Sequence, residues 1–182
     1  MTQPEKTSTY KTQKAVKPAV EDIINATLQG EKKRGALEFA AFLQTVKMKP
    51  QWASGNSWTL SYKSKRVGYV KINDSTGDWE LRVYNQYDPP FNELLAKESA
   101  EIQNFIMGNI KPCYKCGSLA PGVDAELLGK KMQFVCAIPV VFMTNPDAQF
   151  RAFAERLVVL RRDAIANNRV PNCWYVKMSA RK

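Results

Sequence analysis

The chain has 182 residues, 27 Lys+Arg against 17 Asp+Glu for a formal charge of +10, and no histidine. Its length suits one domain with a short appendage, and 45% hydrophobic residues are enough for a packed core. Without histidine there is no Ser-His-Asp or Cys-His nucleophile, no His-ligated metal and no imidazole proton shuttle.

Residues 1–17 are rich in Thr, Lys and Gln and carry almost no apolar side chains, so a disordered basic tail is expected before a single domain over 18–182. Pro18 suits a helix first turn, and Val20, Ile23, Ile24 and Leu28 recur at helical spacing up to Gly30. A second helix begins with the charge run Glu31-Lys32-Lys33-Arg34, takes its apolar face from Leu37, Phe39, Ala40 and Leu43, and closes at Pro50. Residues 57–63 alternate cleanly, with Trp58, Leu60 and Tyr62 on one side and Ser57, Thr59, Ser61 and Lys63 on the other. A turn at Ser64-Lys65 leads to a strand over 66–72. The Asn73-Asp74-Ser75-Thr76-Gly77 turn then gives a third strand, with Trp79, Leu81 and Val83 opposing Glu80, Arg82 and Tyr84. Three short-looped strands predict an antiparallel meander.

Asp88-Pro89-Pro90 is a helix start, and one helix is expected from there to about 108–110. The cysteine turn follows, then a loop with Pro121-Gly122 and a hairpin tip near 127–132. Residues 133–143 form a β run that Pro139 should confine to an edge, a bulge or a break. Asn145-Pro146-Asp147 opens a long helix, with Asn145 read as its cap, and Arg161-Arg162 near its end are explained by the dipole. Trp174, Val176 and Met178 suggest a last strand. The fold class is therefore α+β: an antiparallel sheet, meander plus later strands, with helices packed on one face.

Cys113-Tyr114-Lys115-Cys116-Gly117 brings two thiols onto one turn. With nineteen residues between Cys116 and Cys136, the spacing suits a zinc site whose fourth ligand is Cys173, Asp124 or water. Against zinc, Cys136 shares its phase with Met132, Phe134 and Ile138, which is the company of an inert core thiol. A redox pair is the other chemistry open to Cys113 and Cys116, although no helix follows to lower a thiol pKa.

Trp52, Tyr62, Tyr84 and Tyr87 cluster about the meander and are the candidate wall of a pocket for a small apolar or aromatic ligand, or for a protein partner. The bland alternative is that large aromatics simply fill the core. Lys63, Lys65 and Arg66 at a hairpin can grip phosphates next to Tyr62 and Tyr69, or serve only as a solvated tip. Glu98 falls in phase with Leu94, Leu95 and Ile102, as a buried acid or as the partner of a nearby cation. No phosphate-binding glycine loop or dinucleotide fingerprint is present.

The longest apolar run, near 134–143, is too short to cross a bilayer, and the first ten residues have no signal-peptide core. Four cysteines are then expected as reduced thiols in the cytoplasm.

The segment Trp52-Ala53-Ser54-Gly55-Asn56-Ser57-Trp58, the following Tyr62-Lys63-Ser64-Lys65-Arg66-Val67, the Cys113/Cys116 pair with Pro121-Gly122 and Cys136, and Asn145-Pro146-Asp147 resemble a family of uncharacterised bacterial proteins, small, cytosolic and of Firmicute type. The likeness covers most of 37–165. It implies a bacterial cytosolic protein and brings no activity with it. In architecture alone, the element order is also similar to gyrase-inhibitor-like ligand-binding domains.

Overall fold

The computed structural model describes residues 9–113, 122–136 and 140–170, with side chains from residue 13 onward. Three helices come first: α1 (Thr9–Val16), α2 (Val20–Thr27) and α3 (Gly30–Thr45). The meander follows as β1 (Gln51–Ser54), β2 (Ser57–Tyr62), β3 (Lys65–Asn73) and β4 (Asp78–Tyr84). Then come α4 (Pro89–Ala96), α5 (Ala100–Asn109), β5 (Val123–Leu127), β6 (Lys130–Val135), β7 (Val140–Thr144) and α6 (Ala148–Ala166). The main sheet is antiparallel in the order β1-β2-β3-β4-β7, and β5 and β6 form a separate ribbon, so the fold is α+β.

Alternation decides which face of the main sheet is covered. Trp58, Leu60, Trp79, Leu81 and Val83 point to one side and are buried to 1% exposure or less. Helices α2, α3 and α6 pack over β3 and β4 on that side. Phe39 of α3 meets Trp79 with ring centroids 6.0 Å apart, and α6 adds Phe153, Leu157 and Val158. The β2–β3 reversal is a two-residue turn with positive φ at both Lys63 and Ser64, the geometry that matches strand twist. It sits one residue earlier than the composition suggested.

Three expectations change, and the alternatives left open for the run over 133–143 narrow to a break. Residues 9–16 are helical and not a disordered tail. Composition hides this because the docking is polar: Gln13 Oε1 accepts from Trp52 Nε1 at 3.1 Å and from the Asn56 backbone N–H at 2.9 Å. The helix after Asp88 is two helices, since Ser99 caps a new start by accepting from the Ile102 N–H, while Asp88 caps α4 through the Phe91 N–H. Asn145 is not the cap of α6. Asp147 accepts from Phe150 N–H at 2.9 Å, whereas Asn145 accepts from Trp79 N–H and donates to Asp78, joining β7 to β4. Lastly, the apolar run over 133–143 is two strands in two sheets; Pro139 lies outside the described residues, as do Cys116, Cys173 and the proposed strand near Trp174.

No helix among the described residues is long and apolar enough to cross a membrane.

Candidate ligand cavity

Segment 84–91 leaves the main sheet at the end of β4 and enters α4. Between that segment, α5 and the edge strand β7 lies a cavity of about 190 Å3. Phe91 of α4, Ile106 of α5, Ile110 and the β7 pair Val140 and Val141 give it an apolar wall. Polar groups reach it from Tyr87, Asn109, Lys111 and Cys136. The Tyr87 phenol is pushed up to about 12, first by burial and then by the nearby Cys136 thiol. A neutral phenol beside an apolar wall can donate one hydrogen bond to a bound molecule.

One side of the cavity is built by a short pairing that composition does not reveal. Cys113 N–H donates to Phe134 O at 2.8 Å, Cys136 N–H donates to Lys111 O at 3.3 Å, and Pro112 bridges Val135. Residues 111–113 thus flank β6 on the side away from β5. Gly122 closes against the same place, where a Cβ would come within 2.8 Å of Cys113 Cβ and 2.9 Å of Phe134 Cδ2, so only glycine fits. The register puts Cys113 and Cys136 on the diagonal of one pairing, where Cα atoms lie roughly 7–8 Å apart. A bulge at Phe134, with φ of +52° and its N–H held by Asp124, breaks the alternation expected around Cys136. The buried residue here is Val135, while Phe134 is exposed and Cys136 half-buried, so Cys136 is not the core thiol its phase implied. Among the described residues, no three acidic or thiol side chains gather as a metal centre, and Cys116 lies outside them.

The other candidates are dispersed. Trp52 sits under α1, its indole N–H taken by Gln13. Tyr62 lies on β2, three strands from β7, on the helix-covered side, opposite Lys65, with Lys63 Nζ 5.8 Å from its ring. Tyr84 pairs with Val140 on the opposite face, the one left uncovered by helices α2, α3 and α6 among the described residues. Tyr87 alone of the four aromatic candidates lines the cavity. Glu98 is 9% exposed and takes both bonds of a bidentate pair from Arg156, at 2.9 and 2.7 Å, so it is the satisfied partner of a cation.

The uncovered face carries a row that the sequence reading missed. Register aligns Tyr69, Arg82 and Phe142 on three adjacent strands. The Arg82 guanidinium lies 4.9 Å from the Tyr69 ring centroid and 4.7 Å from that of Phe142. Arg66, opposite Ser61, shares this side, as does Lys71 opposite Ser57 and Glu80, whereas Lys65 does not. Each strand's alternation was readable, but only the pairing register shows that the three side chains meet.

Comparison of the chain with protein-family models, with curated proteins and with solved structures returns no match in any of the three.

Proposed function

We propose that this is a non-catalytic, cytosolic module that binds one small apolar or aromatic ligand in the cavity at Tyr87. The observation that carries this is the volume and its wall: about 190 Å3, faced by Phe91, Ile106, Ile110 and Val141. Dry apolar cavities of ~150 Å3 accept a benzene ring, so this one has room for a single ring with a small substituent. The Tyr87 hydroxyl and Lys111 would orient a polar group on that ring. Cys113, Cys116 and Cys136 would hold structural zinc and lock the wall beside it, with thiolates as its ligands. The diagonal placement of Cys113 and Cys136 supports that role.

Titration with indole and phenol, followed by thermal unfolding and by chemical-shift changes, tests the proposal. A saturable stabilisation that vanishes in Ile110→Trp, with the fold intact, is expected. The same stabilisation in wild type and Ile110→Trp would place the ligand elsewhere, and no saturation would refute the cavity as a site.

The row Tyr69–Arg82–Phe142 favours a second reading, a surface for single-stranded nucleic acid, because rings and guanidinium planes at the centre of a sheet are stacking platforms for bases.

A further inference from the structure

Arg161 stands in the apolar stripe of α6, among Leu157, Val158, Ala164 and Ile165, and is only 2% exposed. Its Nε is shielded from water and has no hydrogen-bond partner, and among the described residues no carboxylate pairs with it. Removal from water disfavours the charge, but an arginine cannot escape by releasing its proton. A cationic N–H shielded from water with no acceptor is an unfavourable arrangement in a core.

The carboxylate whose field reaches it is Asp88, followed by the Tyr84 phenol. That carboxylate is already committed. Its Oδ1 caps α4 through Phe91 N–H at 3.1 Å, and its Oδ2 accepts from Gln86 Nε2 at 2.6 Å and from Arg169 at 3.1 Å. Asn85 follows Val83 by two residues and so continues the helix-covered side of β4, over which α6 packs. It too is 2% exposed, and its Nδ2 has no partner. Two buried donors, one on α6 and one just past the end of β4, therefore have no acceptor, while Gln86 Oε1 beside Asn85 has no donor. The guanidinium fork matches the two oxygens of a carboxylate or phosphate, and an amide donor adds a third point.

We propose that Arg161 and Asn85 form a binding site for a small oxyanion, a carboxylate or a phosphate, between α6 and the end of β4. This site is separate from the Tyr87 cavity, whose lining does not include Arg161.

The test uses the full chain, with sodium acetate, sodium benzoate and sodium phosphate as probes at ionic strength matched by chloride. Wild type is expected to show a saturable rise in Tm with at least one probe and a shift of the Arg161 Nε–H resonance. Comparing the carboxylates with phosphate identifies the source of the oxyanion. Arg161→Met keeps the volume and removes the charge. It is expected to leave the anion-free Tm unchanged or higher, and to weaken the anion at least ~30-fold, the loss expected when a buried charged partner is truncated. The indole response should survive that substitution, which separates failure of this site from failure of the cavity. Should Arg161→Met not fold, Asn85→Ala and the wild-type Nε–H resonance decide. No saturable response in wild type, or an equal response in Arg161→Met, overturns the proposal. So does a wild-type Nε–H already bonded to Gln86 Oε1, the unpartnered acceptor in the same segment.

Discussion

The two faces of the five-stranded sheet are made by the same strands and are chemically unlike. On the covered side, Trp58, Leu60, Trp79, Leu81 and Val83 are all but inaccessible, and the one polar atom of Trp58 is answered by Pro18 O at 2.9 Å. On the uncovered side, Tyr69 and Phe142 face a guanidinium instead of an apolar neighbour. Aromatic rings thus do two jobs in one sheet, one residue apart. Those that meet helices remove apolar area from water and supply stability. Those that meet Arg82 stay half-buried and hold a cation against their faces.

The largest effect that would test this division is Trp79→Ala. Trp79 is 1% exposed, lies against Phe39, and sits where α3 crosses β4. Its removal should cost about 3–5 kcal/mol in a denaturant titration, because the helices above it cannot fully close the void. A loss under about 1 kcal/mol, the ordinary size for a substitution outside the core, would mean that the covered face is not where stability resides.

That face was readable from sequence because its rule is local. Period-two alternation in 57–63 and 78–84 needs no knowledge of neighbours, and Trp58, Leu60, Trp79, Leu81 and Val83 follow it. What could not be read depends on pairing between distant residues. Residues 133–143 read as one β-forming run because Phe, Val and Ile dominate it, with Pro139 leaving an edge, a bulge or a break open. The bulge at Phe134 and the separate partners of β6 and β7 are tertiary facts. The cavity brings Tyr87 together with residues of α4, α5 and β7 that are distant in sequence, so of its lining only Tyr87 is named from the sequence as a pocket residue, and only by its type. Gln13 shows the same limit from the other direction, since its amide holds α1 on the β1–β2 turn although no apolar pattern marks the segment. Arg161 reads as a partner of the helix dipole because Arg161-Arg162 stand near the end of the predicted helix, yet neither lies in the last turn of α6, and Arg161 falls in phase with Leu157, Val158, Ala164 and Ile165.

Alkaline titration offers an intermediate effect. Burial raises the Tyr69 phenol on the uncovered face, with Arg82 opposing the rise, and raises Tyr87 further, to about 12. An unfolded tyrosine ionises near pH 10. Above that pH the unfolded chain releases a proton that the folded chain still holds, so stability must fall as pH climbs from about 10 toward 12. Tyr87→Phe should flatten most of this decline and Tyr69→Phe less of it, as measured by denaturant midpoints across the range. A larger effect at Tyr69 would show that the uncovered face is the drier of the two sites.

The smallest change in stability should come from charge removal on the uncovered face. Lys71→Gln and Arg66→Gln lie on that side of β3 and should each alter stability by no more than about 0.5 kcal/mol. Their effect on a labelled single-stranded oligonucleotide should be easier to see. If phosphates meet these two side chains, each substitution weakens binding and lowers the slope of log affinity against log salt by about 1. Heparin is the necessary control, because it carries charge without bases. Equal retention of heparin and oligonucleotide would reduce the surface to simple electrostatics, since stacking on Tyr69, Arg82 and Phe142 requires a ring. Preference for the oligonucleotide, lost in Phe142→Thr while the fold persists, would show that alternation has divided this sheet into a face that holds the molecule together and a face that recognises something else.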